Sequence, residues 1–181
     1  GYSLAQAAVD LGAEVTLISG PTNLKVPNGL EKFIFVESAL EMYEKVDEYF
    51  KNTDIFIACA AVADYRPKEY KKEKIKKSDS DFVIELVRNP DILLEMSKKK
   101  EKQLLVGFAA ETNEIRENAL KKLEKKNLDI IVANNASVMG SDENVIEIIK
   151  KDRTSVEISQ KSKIELAYDI LSEVVCELKK R

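Results

Sequence analysis

Short apolar runs alternate with amphipathic segments along this 181-residue chain, and this alternation constrains the fold more than any other feature. Residues 13–19 (AEVTLIS) and 104–108 (LLVGF) are largely apolar runs of the length and composition typical of buried parallel strands. Residues 39–50 instead repeat apolar side chains every three or four positions, which predicts a helix. Strands that alternate with helices of this length form parallel sheets covered by helices. We therefore predict a single α/β domain over residues 1–181.

The fold class that this pattern predicts is a Rossmann-like three-layer parallel sheet with helices on both faces. Strands are predicted at 13–19, 33–36, 54–59, 81–88, 104–108 and 128–133, followed by a hairpin of 145–150 with 154–158. Helices are predicted at 4–11 (ended by Gly12), at 39–50 (capped by Ser38), from 89–91 onward, from Thr112 or Asn113 to Lys126, and at 162–179. Because the chain opens inside a helix pattern, we expect the first β-strand and its loop to be absent upstream of residue 1.

The composition excludes several classes of function. A net charge of −3 provides no general attraction to nucleic acid or to an anionic membrane, and no apolar run reaches the roughly 18 residues of a membrane-spanning helix. The absence of histidine excludes Ser-His-Asp and Cys-His catalysis and histidine-ligated zinc. Cys59 and Cys176 are expected to be buried free thiols, which together with the lack of a signal peptide favours a cytoplasmic location.

Residues 54–77 (DIFIACAAVADYRPKEYKKEKIKK) form the strongest candidate for a binding site. A predicted strand gives way to the small residues 58–63, which let a ligand approach the backbone at the carboxyl end of the strand. A carboxylate and a guanidinium follow at 64–66, and lysines cluster at 74–77. This set of charges favours an anionic ligand, in particular a phosphorylated one. The alternative is that the lysine run is a solvated surface segment.

Two lysines of the predicted helix 113–126 form a second candidate. Helical geometry places Lys122 and Lys126 beside the apolar face, whereas Lys121 and Lys125 point away from it. Lysines in such positions commonly extend past the core to reach water, and this is the preferred interpretation from the residues alone. They can also reach over the edge of the sheet to a polyphosphate.

Two further positions allow a structural and a functional interpretation. Phe108 ends a strand that continues in small residues, so its ring either fills the core or stacks on a base. Residues 89–91 (Asn-Pro-Asp) begin a helix, where an amide and free backbone N–H groups either cap the helix or bind an anion or the edge of a nucleobase.

Two short patterns resemble those of short-chain dehydrogenases, namely Tyr70-x-x-x-Lys74 and Asn134-Asn135-Ala136. In that family the amide motif precedes the tyrosine motif, whereas the order is reversed here, and no GxxxGxG loop is present. We interpret both as coincidence. An NAD(P)-dependent oxidoreductase remains an alternative that depends only on these patterns and on analogy of fold.

The chain resembles phosphopantothenoylcysteine synthetases (phosphopantothenate–cysteine ligases) of coenzyme A biosynthesis, in many bacteria the C-terminal half of a bifunctional protein whose other half is a flavin-dependent decarboxylase. The resemblance depends on six motifs in order, which together cover essentially the whole chain. They are GAEVTLISGP at 12–21, ACAAVADYRP at 58–67, KIKK at 74–77, RNPDIL at 88–93, VGFAAET at 106–112 and KKNLDIIVAN at 125–134.

The resemblance implies a two-step reaction with CTP and Mg²⁺, in which 4′-phosphopantothenate forms an acyl-cytidylate that L-cysteine then converts to an amide. It implies that Lys74 is the catalytic lysine and that Lys122 and Lys126 bind the triphosphate, which reverses the preference stated above. The other nucleotide contacts that it implies are Ala58, Cys59, Ala60, Asp64, Pro90, Asp91, Ile92, Leu93 and Phe108. No residue is assigned as a metal ligand.

The resemblance also implies partners and a departure from the family pattern. The segments around 74–77 and 81–88 would form a small antiparallel extension that builds a homodimer, with the active sites near the interface. A decarboxylase with FMN would be fused or associated, and FMN would not bind to this chain. Family members carry an arginine and an asparagine before the position of Gly1. Since the asparagine holds the acyl intermediate, this chain is expected to be impaired, to serve as a catalytically incomplete nucleotide-binding dimeric module, or to be the remainder of a longer protein.

Overall fold

The structure, a computed structural model, describes residues 1–70, 73–74, 82–111, 113–135 and 143–181. The helices are α1 (Tyr2–Asp10), α2 (Ala39–Phe50), α3 (Ile92–Lys98), α4 (Ile115–Lys125) and α5 (Lys163–Leu178). The strands are β1 (Thr16–Ser19), β2 (Lys32–Phe35), β3 (Ile55–Ala58), β4 (Tyr65–Pro67), β5 (Leu86–Arg88), β6 (Leu104–Glu111), β7 (Ile130–Asn135), β8 (Glu143–Lys150) and β9 (Ser155–Ser162).

A five-stranded sheet in the order β3-β6-β7-β8-β9 forms the centre of the fold. Its first three strands are parallel, so Ala58 pairs with Gly107 and Phe108 pairs with Val132. The strands β8 and β9 run antiparallel and form the predicted hairpin. The strands β1 and β2 form a separate parallel pair, and β4 with β5 forms an antiparallel ribbon. The predicted α/β class is confirmed, with a sheet that is mostly rather than wholly parallel because β8 runs antiparallel to both of its neighbours.

Helices cover both faces of the central sheet, as the sequence pattern predicts. One core contains α1 and α5, and the other contains α2, α3 and α4. Alternate residues of β6 enter the two cores, because successive side chains of a strand point to opposite faces. Thus Leu104 and Val106 pack with α1 and α5, whereas Leu105 packs with the other three helices. Burial of each such side chain stabilises the fold by about 1.5–3 kcal/mol.

Local signals determine several helix boundaries. The hydroxyl of Ser38 accepts a hydrogen bond from the N–H of Glu41, as expected for an N-cap. Ser162 and Glu165 form a capping box at the start of α5. Gly12 follows α1 with a φ of 86°, which glycine adopts without a steric penalty. The predicted cap at Ser38, the predicted start of the last helix at residue 162 and the predicted end of the first helix at Gly12 are confirmed.

Two predicted boundaries are wrong. The helix α4 begins after Glu114, which has a φ of 48°, and not after Asn113; the alternative cap, Thr112, lies outside the described residues. The strand predicted at 81–88 is limited to Leu86–Arg88, because its partner β4 is only three residues long. That partner was not predicted, since a run containing Pro67 carries a weak strand signal.

Gly107 allows α3 to approach the sheet. A Cβ atom added at this position would lie 2.7 Å from Cδ1 of Leu128 and 3.1 Å from Cδ2 of Leu93. Leu93 belongs to the first turn of α3 and is buried. A larger residue at 107 would therefore push the beginning of α3 away from β6.

We expect Gly107→Ala to lower the free energy of unfolding by about 1–3 kcal/mol, because the added methyl group overpacks the contact with Leu93 and Leu128. Denaturant titration measures this change. Gly20→Ala is the matched control, since a Cβ at Gly20 would meet only the carbonyl oxygen of Val36, at 3.9 Å. Equal stabilities of the two variants would contradict the packing argument.

Candidate functional site

The carboxyl ends of the three parallel strands lie along one edge of the sheet. The pairing of Ala58 with Gly107 and of Ala109 with Ala133 aligns the ends of β3, β6 and β7. The loop that follows β3 and the last residues of β6 therefore meet at this edge. We refer to it as the carboxyl edge, and in open α/β sheets this is where ligands bind.

The beginning of α1 also lies at the carboxyl edge. A Cβ atom at Gly1, the N-cap of this helix, would lie 3.2 Å from Sγ of Cys59. Cys59 is half-buried and packs against the core shared with α1 and α5. Cys176 is exposed, so the expectation that both thiols are buried is wrong for this residue, which lies on a part of α5 that faces solvent.

The loop after β3 is connected to the residues that precede α3. The backbone N–H of Asn89 donates to the carbonyl oxygen of Asp64 at 2.8 Å, and Nδ2 of the same residue donates to the carbonyl oxygen of Ala63 at 2.8 Å. Nη1 of Arg66 donates to Oδ1 of Asn89 at 3.1 Å and to the carbonyl oxygen of Arg88 at 2.7 Å. Four hydrogen bonds thus connect two segments that are far apart in sequence.

Asp91 begins α3 and pairs with Lys126. Its Oδ1 accepts a hydrogen bond from the N–H of Leu94 at 3.1 Å, and its two carboxylate oxygens lie 2.9 and 2.8 Å from Nζ of Lys126. Partial burial raises the pKa of the Asp91 carboxyl. The hydrogen bonds from Lys126 and Leu94, together with the charge of Lys122, outweigh burial and lower this pKa below its usual value.

The lysines of α4 are oriented as helical geometry predicts. Lys122 and Lys126 are half-buried, whereas Lys121 and Lys125 are exposed. Nζ of Lys122 donates to the carbonyl oxygen of Phe108 at 2.6 Å, at the carboxyl edge. The two half-buried ammonium groups therefore contact β6 and the start of α3, and the predicted orientation of all four lysines is confirmed.

Most of the predicted site residues lie on the segments that meet at the carboxyl edge. These segments carry Ala58, Cys59, Ala60 and Asp64 after β3, Pro90 to Leu93 at α3, Phe108 on β6, and Lys122 with Lys126 on α4. The side chains of Ile92 and Leu93 are buried in the core, so only their backbone can contact a ligand. Phe108 is half-buried against the core of α1 and α5, which favours the packing interpretation of its ring.

Lys74 is exposed, and it forms no hydrogen bond or ion pair with the other residues that the structure describes. Residues 75–77 of the lysine cluster lie outside the described ranges. The structure therefore does not connect this candidate to the carboxyl edge, and its role stays a prediction.

Sequence reasoning missed two features of the site. The link between Arg66 and Asn89 joins residues 23 positions apart, and the ion pair of Asp91 with Lys126 joins residues 35 positions apart. Neither separation matches a helical or strand period, so no local pattern could have indicated these contacts. Tertiary packing alone brings them together.

The fold and the site together define a class of protein, namely a three-layer α/β domain with a candidate ligand site at its carboxyl edge. Small residues, backbone amides and the half-buried Lys122 and Lys126 line this edge. The chain belongs to the family described as the DNA/pantothenate metabolism flavoprotein C-terminal domain, which it matches over residues 1–178. This match confirms the resemblance to phosphopantothenoylcysteine synthetases at the level of the family.

Individual relatives support this assignment. The chain is 48% identical over 178 residues to the coenzyme A biosynthesis bifunctional protein CoaBC of Bacillus subtilis (strain 168). The matched region covers 96% of this chain and 44% of that protein. It is 42% identical over 180 residues to a protein named cysteine/cysteine sulfinic acid decarboxylase from an unknown prokaryotic organism, which covers 97% of this chain and 50% of that protein. The chain thus spans about half the length of these curated relatives.

A solved structure shows the same architecture. The crystal structure of the C-terminal domain of coenzyme A biosynthesis bifunctional protein CoaBC superimposes with a TM-score of 0.86 at 42% sequence identity. The superposition covers all of this chain and 83% of that domain.

We expect Asp91→Asn to lower the free energy of unfolding near pH 7 by less than about 1 kcal/mol, because asparagine keeps the helix cap but removes a partly exposed ion pair. The lowered pKa means that the carboxylate stabilises the fold above the unfolded-state pKa of about 3.9 and loses this effect as the pH falls through the lowered value. Denaturant titrations of wild type and variant should therefore converge in acid. A constant difference between them down to about pH 2 would contradict the assignment.

Proposed function

We propose that this chain is the ligase domain that joins 4′-phosphopantothenate to L-cysteine in coenzyme A biosynthesis, with CTP as the activating nucleotide. The observation that carries the proposal is the convergence of Asp64, the start of α3, Lys122 and Lys126 at the carboxyl edge. The relatives named for coenzyme A biosynthesis match almost the whole chain and support the proposal.

The proposed chemistry has two balanced steps. The carboxylate of phosphopantothenate attacks the α-phosphorus of CTP, which forms an acyl-cytidylate and releases pyrophosphate. The amine of cysteine then attacks the acyl carbon, which forms the amide, releases CMP and loses a proton to solvent or phosphate. Neither step requires histidine, because activation creates a good leaving group, and the protein contributes positioning and charge neutralisation.

The lysines of α4 suit the binding of a triphosphate. The side chain of Lys126 is 16% exposed and that of its partner Asp91 is 43% exposed, so in the proposed complex phosphate oxygens approach this ammonium group from the side of the carboxylate. Lys122 lies one helical turn earlier, with its ammonium group at the end of β6. In the proposed complex these two side chains neutralise the phosphates, and Lys74 neutralises charge at the reacting phosphate.

The carboxyl edge is compatible with magnesium carried by the nucleotide. Among the described residues no cluster of three cysteine, aspartate or glutamate side chains could hold a metal, while Asp64 is an exposed carboxylate beside the strand ends. Mg²⁺ commonly uses one or two carboxylates together with substrate phosphates. We propose that Asp64 contributes in this way, and the metal would supply additional charge neutralisation at the phosphates.

The proposed reaction predicts pyrophosphate release that depends on both CTP and phosphopantothenate when the full-length protein that contains this chain is assayed.

Lys126→Met should weaken CTP binding about tenfold or more, because it removes a positive charge from the triphosphate site. Lys125→Met is the matched control, since this neighbouring side chain is exposed and should leave CTP binding unchanged. Lys74→Gln should reduce turnover sharply while the fold stays intact.

Pyrophosphate release that does not depend on phosphopantothenate would refute the proposed ligase activity. Binding of CTP without turnover in the full-length protein would instead identify a nucleotide-binding module. Release or consumption of NAD(P)H without any response to CTP would favour the oxidoreductase.

We further propose that the chain forms a homodimer through the ribbon of β4 and β5. Large apolar side chains on this ribbon and on residues 82–84, which lead into β5, are exposed in the single chain; they are Tyr65, Phe82, Val83, Ile84 and Leu86. A contiguous exposed apolar surface is typical of an interface between proteins. We also propose that a decarboxylase with FMN is fused to this chain or associated with it, and the bifunctional relatives support this. We propose a cytoplasmic location for the protein.

Val83→Glu should shift the protein from dimer to monomer in analytical ultracentrifugation, because Val83 is 84% exposed in the single chain and would place a charge in the interface. Val156→Glu is the control, since Val156 lies on the outer strand β9 and is also exposed. Dissociation by the control alone would place the interface on β9. If both the wild type and the Val83→Glu variant sediment as monomers, the proposed homodimer is refuted.

Within the described ranges, no helix has both the length and the apolar composition needed to cross a bilayer.

A further inference from the structure

We propose that Asn89 is a positioning residue that holds the loop after β3 at a set distance from the start of α3, and that Arg66 orients its side chain. The inference rests on the proposed function, because that function makes both segments parts of one CTP site. Neither residue has a role in the proposed chemistry itself.

The side-chain amide of Asn89 both accepts and donates a hydrogen bond. Its Oδ1 accepts a hydrogen bond from Arg66 at 3.1 Å, and its Nδ2 donates one to the carbonyl oxygen of Ala63 at 2.8 Å. A guanidinium only donates hydrogen bonds and a carbonyl oxygen only accepts them, so this pair of neighbours allows one orientation of the amide. The structure therefore requires asparagine, and not its isostere aspartate, at this position.

The backbone of Asn89 adds a second connection to the same loop. Its N–H donates to the carbonyl oxygen of Asp64 at 2.8 Å, which continues the pairing of β4 with β5 by one residue. The segment 63–64 is thus held by the side chain and by the main chain of a single residue. Asp64 is the exposed carboxylate that the proposed function assigns to the magnesium carried by the nucleotide.

The position of Asn89 is in turn coupled to α3. Pro90 follows it and restricts the backbone, and Asp91 then caps the helix through the N–H of Leu94. Only one residue separates the asparagine from the carboxylate that pairs with Lys126. A movement of the loop relative to Asn89 therefore changes the distance between Asp64 and the lysines of α4.

This geometry favours one of the roles that the sequence allowed for Asn89. Oδ1 and Nδ2 of its amide each hydrogen-bond to a protein group, so we assign the side chain to holding the loop rather than to contacting a nucleobase edge. Its contribution to binding is indirect, and misplacement of a contact by about 1 Å can cost on the order of 10²-fold in rate.

The test compares Asn89→Asp with wild type in the full-length protein that contains this chain. Aspartate keeps the size of the side chain and can accept from Arg66, but it cannot donate to the carbonyl oxygen of Ala63. We expect the Kd and KM for CTP to rise about tenfold or more, with KM for cysteine changed less than twofold. We also expect faster amide hydrogen exchange in residues 60–64.

Arg66→Lys provides a second variant that does not depend on the first. Lysine keeps the charge, but its shorter side chain does not bring the ammonium group to the position of Nη1, the one nitrogen of Arg66 that donates to both Arg88 and Asn89, so we expect a smaller increase in the Kd for CTP. The control is Lys68→Ala, which removes an exposed ion pair with Glu85 on the same ribbon at 2.8 Å. This variant should bind CTP as wild type does and leave hydrogen exchange of residues 60–64 unchanged.

Each outcome decides between the proposals. If wild type binds CTP and both Asn89→Asp and Arg66→Lys bind it equally well, the positioning role is overturned while the proposed function stands. If Asn89→Asp fails to fold, the result with Arg66→Lys decides in the same way. If Lys68→Ala weakens binding as much as the two variants, the effect belongs to the ribbon as a whole and the inference fails. If wild type binds no CTP, the proposed function fails, and the inference fails with it.

Discussion

The parallel pairing of β6 with β3 on one side and β7 on the other is the constraint on which the rest of the structure depends. Both faces of β6 are buried, so a shift of one residue in its register would exchange the side chains of two different cores. This register aligns the carboxyl ends of the three strands. It also places Gly107 under the first turn of α3, where the absence of a side chain lets the helix lie close to the sheet.

The ion pairs at the two ends of this sheet differ in their exposure to solvent. At the opposite end from the carboxyl edge, buried Asp129 accepts hydrogen bonds from the N–H of Leu105 at 2.7 Å, from Lys100 at 2.6 Å and from Arg181. Burial lowers the pKa of Lys100, although its ion pair with Asp129 acts in the opposite direction. Lys100 and Asp129 are largely shielded from solvent, and Arg181 holds the residues after α5 to the sheet. In the pair of Asp91 and Lys126 the carboxylate is 43% exposed and the lysine side chain 16%, so in the proposed site an anion would reach the cation from the side of Asp91.

The ribbon of β4 and β5 connects the candidate site to the exposed apolar surface. One end of the ribbon carries the hydrogen bonds of Arg66 and Asn89 at the carboxyl edge. The other end leads into Phe82 and Val83, which are exposed in the single chain. Burial of that surface in the proposed dimer would order the ribbon. The proposed dimer and the geometry of the proposed nucleotide site would then depend on the same few strand residues.

The sequence by itself determined the class of the fold, most helices and strands, the orientation of the α4 lysines and the family. These features follow from local signals, namely periodicity, capping residues and ordered motifs, which act over a few neighbouring positions. The helix start at Ile115, the short strand β4 and the exposure of Cys176 could not be obtained in this way. Only the tertiary structure decided that Asp91 pairs with Lys126 and that Asn89 holds the loop before Arg66. The physical reason is that these contacts join residues more than 20 positions apart, whose distance depends on how the helices pack on the sheet.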